Sequence, residues 1–262
     1  MSGMSFGAEW MRGLRLRPSS IGLRAPGWRS LGIAAALMLA AVLPRQLAAA
    51  PVPPPLKIGI IGSGHIGGTL ATLWVKAGHE VLISSRHPEE LKSLAASLGA
   101  RAHVGTPREA ALFGEVVLVS VPYKALPEIG QDLKSELAGK IVLDTCNPYP
   151  ERDGPMAVEV RAKGTGVSSP QFLPGVRLVR AFNAIGYRDL AREAHRAGDA
   201  VAIPLAGDDP EALAVAERLV RDAGFAPVVV GNLGRAREFD VGTVPYNHVL
   251  TAAQLRQTLG LK

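Results

Sequence analysis

Gly62-Ser63-Gly64-His65-Ile66-Gly67 fits the spacing G-x-G-x-x-G, and the chemistry such a loop performs is phosphate binding. Each glycine has its own task. Gly62 allows a tight turn, Gly64 lets a pyrophosphate approach the backbone, and Gly67 lets a helix pack closely on a strand. The surroundings are those the motif needs. Lys57-Ile58-Gly59-Ile60-Ile61 precedes it as an apolar run suited to a buried parallel strand. A helix pattern follows, with Ile66, Leu70, Leu73 and Ala77 on one face and Gly78 as its stop. The start of that helix offers free N–H groups and a favourable dipole to an anion. His65 lies inside the loop; it can donate to a phosphate or stack near a ribose, but the favoured reading is that only its backbone N–H matters.

The second strand, Val81-Leu82-Ile83, ends in Ser84-Ser85-Arg86-His87. A site for NAD carries Asp or Glu here, about 20 residues beyond the glycines, to bind the ribose 2′-hydroxyl. No acid stands at this point. A serine hydroxyl and an arginine fork suit a 2′-phosphate instead, and Arg86 can stack on adenine. The expected cofactor is therefore NADP(H), with Ser85 and Arg86 as the discriminating pair.

Ligands of open α/β sheets lie at the carboxyl ends of the strands, so three more segments matter. Ser120-Val121-Pro122-Tyr123 follows the strand Val116 to Val121; Tyr123 either walls the pocket or packs at a helix start. Asp144-Thr145-Cys146-Asn147-Pro148-Tyr149 follows Ile141-Val142-Leu143 and brings Asn147 and Pro148 toward a nicotinamide. Cys146 reads as a small buried thiol rather than a nucleophile, because no histidine is adjacent in sequence. Ala181-Phe182-Asn183 ends a strand beginning at Leu178; Asn183 either bonds a carboxamide or ring, or simply forms a turn. No catalytic acid–base pair and no metal-ligand set is legible.

These segments need a frame. Strand and helix patterns alternate from residue 57 to 230, which predicts a doubly wound parallel sheet of the Rossmann type. Further helices are expected over Pro88 to Leu98 and along Leu126, Ile129, Leu133 and Leu137, and a short strand over Arg101 to Val104. Val201 to Leu205 reads as a strand that Pro204 makes an edge or an irregular one. Asp209 caps the next helix, with Pro210 at its first position and Gly224 beyond its end, and Val228 to Val230 is the last strand. Residues 150–175, rich in Gly, Pro and Ser, read as a loop. The tail, 231–262, reads as short helices packed over the sheet, Thr251 to Leu259 being the clearest.

The chain has 262 residues, 47% of them hydrophobic and 20% charged, a globular composition. No apolar run reaches the roughly 20 residues of a membrane span, which excludes a multi-span transporter. The single cysteine excludes an internal disulfide. The net charge of +6 sits mostly in residues 1–50, where six arginines face only Glu9. The remainder is nearly neutral, so a nucleic-acid partner is not expected. That arginine-rich opening, the apolar block Leu31 to Leu43 and the run Ala48-Ala49-Ala50 resemble a secretory signal peptide. Export to the periplasm, or a membrane tether through residues 31–43, is the expectation. A chain starting at Met38 is the alternative and would be cytoplasmic. Residues 51–56 form a stiff proline-rich linker.

Gly62 to Gly67, Gly78-His79-Glu80-Val81, Ser85-Arg86, Val121-Pro122, Asn147-Pro148, Ala181-Phe182-Asn183 and Ala206-Gly207-Asp208-Asp209-Pro210 occur in this order. In combination they resemble the NADPH-dependent reductases of the deazaflavin coenzyme F420, over roughly residues 57–240. The resemblance implies hydride transfer between NADPH and a bound deazaflavin or flavin. It implies that Ser63 to Ile66 hold the pyrophosphate, that Ser85 and Arg86 hold the 2′-phosphate, and that Ser120, Val121, Asn147 and Ala181 line the nicotinamide side. Hydride transfer needs aligned rings more than a strong acid or base. Pyrroline-5-carboxylate reductases and beta-hydroxyacid dehydrogenases, with their helical second domains, and metalloreductases, with a large membrane domain, rank lower. The competing reading from another class is a non-catalytic NADP sensor or tethered binding module. A homodimer is compatible with the chain, since its C-terminal helices need something to cover.

Overall fold

The computed structural model describes residues 53–262, which form one compact unit. Residues 1–50, expected to be a targeting segment, and the first residues of the expected 51–56 linker lie outside the described residues. Among the described residues no helix is long and apolar enough to cross a membrane.

Eight strands make one sheet in the order β3-β2-β1-β4-β5-β6-β7-β8. Strands β1 (Lys57–Ile61), β2 (Glu80–Ser84), β3 (Ala102–Gly105), β4 (Val116–Val119), β5 (Ile141–Asp144) and β6 (Arg177–Arg180) are parallel. Helix α1 (His65–Lys76) joins β1 to β2, α2 (Lys92–Leu98) joins β2 to β3, and α3 (Pro107–Phe113) joins β3 to β4. Helices α4 (Leu126–Asp132) and α5 (Lys134–Leu137) lead to β5. Period-two alternation explains why both faces are covered. Ile58, Ile60, Val116 and Leu118 join Leu70 and Trp74 of α1 in one core, while Ile61, Val117 and Val119 join Ala110 of α3 in the other. The fit is close: a Cβ at Gly59 would lie 1.9 Å from the Ala110 carbonyl oxygen.

The segment 150–175 is not a loop. It holds three short helices, α6 (Pro150–Asp153), α7 (Pro155–Lys163) and α8 (Thr165–Phe172). Their apolar residues have little helical periodicity, and Gly154 and Gly164, both at positive φ, break them apart. Contact with the rest of the chain holds them. A Cβ at Gly166 would sit 1.7 Å from the Leu233 carbonyl oxygen, so the small residues that look like loop composition permit close packing.

The sheet is also not wholly parallel. After β6 come α9 (Tyr187–Glu193), β7 (Ala202–Gly207), α10 (Pro210–Asp222) and β8 (Ala226–Gly231). Strand β7 runs antiparallel to β6, and β8 runs parallel to β7. The junction has two residue pairs, Val179 with Gly207 and Arg180 with Ala206, so most of β7 lies beyond the carboxyl end of β6. Pro204 therefore pairs with β8 alone, through Val228, although β7 is interior in the strand order, and a register shift follows at Leu205/Ala206. Asp209 caps α10 through the backbone N–H groups of Glu211 and Ala212, as its position predicts. The tail makes a 3-10 turn, Leu233–Glu238, and α11 (Ala252–Thr258), whose Thr251 and Gln254 form a capping box. Leu255 of α11 packs on Ala202 and Val228, so the tail covers the reversed strands.

Candidate functional site

The β1–α1 turn is built as its spacing predicts. Gly62 has φ +97°, and a Cβ there would meet the Ser120 carbonyl oxygen at 2.3 Å. At Gly67 a Cβ would lie 2.1 Å from the Gly62 carbonyl oxygen, so α1 starts tight against the loop. Gly64 differs: nothing lies within 4 Å of its absent side chain, and it faces open space. It is also the N-cap of α1, with no side chain capping the helix. The free N–H groups of the first turn are left for an anion. Ser63 Oγ donates to the Ser84 carbonyl at 3.1 Å and ties the loop to the end of β2.

Two cavities meet over this turn. One, of about 810 Å³, runs from Gly62 to Gly64 out to Ser85 and Arg86. The other, of about 630 Å³, continues across the ends of β4 and β5. They share Gly64, Ser120, Val121 and Pro122, so they form one cleft along the strand ends. Arg86 is exposed, and no carboxylate is within ion-pair distance of it among the described residues. Its fork is free for a dianionic group. Ser85 Oγ accepts from the His87 N–H at 2.9 Å.

At the end of β5, Asn147 lines the cleft. Its Nδ2 donates to the Asn183 carbonyl at 2.8 Å, which fixes the amide. Its Oδ1 is buried and has no hydrogen-bond partner in the structure. Cys146 also borders the cleft, but its thiol is pushed well up by burial and lies 3.5 Å from the Val119 carbonyl. This is the setting of a small buried thiol. Tyr123 packs inside, bonded to Ser169 at 2.8 Å, and does not wall the pocket.

Three expected residues do not reach the cleft. Ala181 is wholly buried in the core beneath it, and Pro148 is buried in the turn that positions its neighbours. Asn183 is also buried; it acts through its backbone carbonyl, with its Nδ2 3.5 Å from the Phe239 carbonyl. The His65 ring stacks on Tyr187 with centroids 4.4 Å apart.

Sequence reasoning missed the far wall. Tyr149 and Arg152 come from the N-cap and body of α6, Ile185 to Asp189 from the β6–α9 turn and the first turn of α9, and Tyr246 and Asn247 from the tail. Tyr149 follows a motif residue directly and was the one with a local signal. Tyr246 is delivered by the tail, whose Asn247 N–H donates to the Ala184 carbonyl at 2.7 Å. A buried ion pair steadies this region. Arg180 Nη1 lies 2.7 Å from Asp144 Oδ2, with both side chains fully buried, and Arg180 Nη2 lies 3.7 Å from Asp240. Asp240 in turn accepts from the N–H and hydroxyl of Thr165. Strand ends, α8 and tail thus meet at one arginine.

The family model for coenzyme F420-dependent NADP oxidoreductases matches residues 57–148, the segment that carries the glycine loop, Arg86 and Asn147. Over these residues the chain is similar to that family. Rat metalloreductase STEAP3 is 32% identical over 191 residues, covering 70% of this chain and 36% of that protein. A glycerol-3-phosphate dehydrogenase [NAD(P)+] of Chlorobium phaeobacteroides is 26% identical over 206 residues, covering 65% of this chain and 62% of that enzyme. The chain therefore spans about a third of the first relative and less than two thirds of the second. Metalloreductases, ranked lower on their membrane domain, are thus among the relatives of this sequence.

Among solved structures, the hypothetical protein SMa0349 of Sinorhizobium meliloti is 26% identical with a TM-score of 0.66, covering 75% of this chain and 95% of that one. A candidate F420-dependent NADP-reductase from Arthrobacter sp. FB24 is 23% identical with a TM-score of 0.59, covering 70% and 87%. The second likeness concerns the fold. The α/β Rossmann architecture of the family is the architecture of this chain.

Proposed function

We propose that the chain is an NADPH-dependent oxidoreductase that passes a hydride to a planar acceptor, coenzyme F420 or a flavin. The observation that carries this reading is the continuous cleft from Ser85 and Arg86, over the uncapped start of α1, to Asn147. Its donors and acceptors are those NADPH requires. Arg86 and Ser85 take the 2′-phosphate, and the N–H groups of the first α1 turn take the pyrophosphate. Asn147, whose Nδ2 is fixed by the Asn183 carbonyl, lines the place of the nicotinamide. NADPH, when bound, supplies the hydride. The protein's part is alignment and exclusion of water, and the cavity beyond Asn147 leaves room for a second ring.

The test mixes the full chain with NADPH and oxidised coenzyme F420 and follows the visible deazaflavin absorbance, with riboflavin and FMN in parallel. Bleaching of the deazaflavin with matching loss of NADPH is expected. Turnover of flavins alone moves the function to a flavin reductase. A further arm with a ferric chelate covers the activity that the rat relative's name carries. NADPH binding without turnover of any acceptor overturns the enzyme reading in favour of a sensor.

A further inference from the structure

The acceptor end of the cleft holds a pair of phenols that the nucleotide does not need. Tyr149 and Tyr246 both line the cavity beyond Asn147 and are hydrogen-bonded hydroxyl to hydroxyl, across 97 residues of sequence. The Arg152 guanidinium lies 5.0 Å from the centre of the Tyr149 ring. It is held there by bonds to the Asn147 carbonyl at 2.6 Å and to the Asp153 carboxylate at 2.8 Å.

Other protic groups on this wall are committed elsewhere. The Cys146 thiol is buried, and Thr145 Oγ1 donates to the Val119 carbonyl at 3.3 Å. Asp189 pairs with Arg192 at 2.6 Å. His65 belongs to the glycine loop, and its ring is stacked on Tyr187. The charged groups facing the pair are Arg152, with Asp153 behind it, and Arg188, which lies 5.4 Å from the Tyr187 ring.

A hydride carries two electrons and one proton, so the ring that receives it gains negative charge and takes up a second proton. We propose that the Tyr149 hydroxyl donates that proton, and that Tyr246 and Arg152 stabilise the phenolate left behind. This inference rests on the hydride-transfer reading above. The acceptor forms one bond to the incoming hydride and one to the phenolic proton. The Tyr149 O–H bond breaks, its electron pair stays on the oxygen, and solvent returns the proton after each cycle. The two tyrosines have unequal roles. Burial, and then the hydrogen bond to Tyr149, push the Tyr246 phenol above its ordinary range. In this assignment Tyr246 keeps its proton and is the donor of the bond the two hydroxyls share, while Arg152 places positive charge over the Tyr149 ring.

Tyr149→Phe and Tyr246→Phe in the full chain test the assignment, with three readouts. The first is NADPH affinity, expected to be unchanged. The second is FMN affinity without NADPH, by fluorescence quenching, expected to weaken about fivefold in Tyr149→Phe, as one lost hydrogen bond would do. The third is turnover of the acceptor that the wild type reduces, with NADPH deuterated at the transferred position. For Tyr149→Phe, kcat is expected to fall on the order of 100-fold and the isotope effect to shrink, because the proton step becomes limiting. Tyr246→Phe is expected to show a smaller fall in the same sense. Wild-type kcat in Tyr149→Phe overturns the proposal, as does a slow variant with an enlarged isotope effect, the mark of misaligned rings. A wild type that reduces no acceptor sinks the hydride-transfer reading itself, an outcome distinct from either.

Discussion

Arg86 stands beside Ser85 at the end of β2, in solvent, with no carboxylate at ion-pair distance among the described residues. An exposed arginine stabilises little by itself, but against a phosphate dianion its fork makes two charge-assisted bonds that a 2′-hydroxyl does not match. Arg86→Ala is expected to raise KM for NADPH at least tenfold and to leave KM for NADH unchanged, as steady-state rates with both nucleotides would show; equal losses remove the 2′-phosphate assignment. Residue types at strand ends made this much legible. They also pointed to Asn147 and to the inert burial of Cys146. They did not separate side chains that enter the cleft from those that turn away. Pro148 after β5, and Ala181 and Asn183 after β6, are buried, and between the last two the backbone turns at Phe182 with φ +57°.

Helix α1 and the loop before it form the element on which the nucleotide would sit. Gly67 is the contact point, and a methyl group there would lie 2.1 Å from the Gly62 carbonyl oxygen. Neither partner can give way cheaply, because both belong to the backbone of one turn. Gly67→Ala is expected to cost about 1–3 kcal/mol, as other overpacked sites do, and to weaken NADPH binding together with stability. Thermal unfolding with and without NADPH measures both; a variant with wild-type Tm and affinity would refute the close-packing role. Elements with strong periodicity, such as α1 and α10, were legible because one face of each is buried at helical spacing. Helices α6 to α8 were not, because glycines and prolines suited to their ends and contacts also suit loops.

Arg180 ties the molecule together across its strand ends. It sits on β6, pairs with Asp144 on β5 at 2.7 Å and reaches Asp240 of the tail, and it is fully buried. Removing one member of such a pair leaves the other charge uncompensated. Arg180→Met is expected to destabilise the chain by about 3–5 kcal/mol, and adding Asp144→Leu to recover part of that loss. Urea unfolding of the single and double variants tests this; an undiminished midpoint in the single variant would show that the pair is dispensable. The same network bears on function, because the tail it holds supplies Tyr246 to the cleft.

By itself the sequence determined the nucleotide half of this protein. Glycine spacing, alternating apolar runs and the Ser85-Arg86 pair are local patterns whose physics acts within one strand–turn–helix unit, and they can be read without the rest of the chain. The acceptor half was decided by tertiary structure alone. Tyr149 and Tyr246 meet because β7 and β8 run against the parallel strands and extend past the end of β6, carrying the tail over the cleft. Strand direction depends on which edge is free when the chain returns, an energy shared among distant residues that no local spacing records.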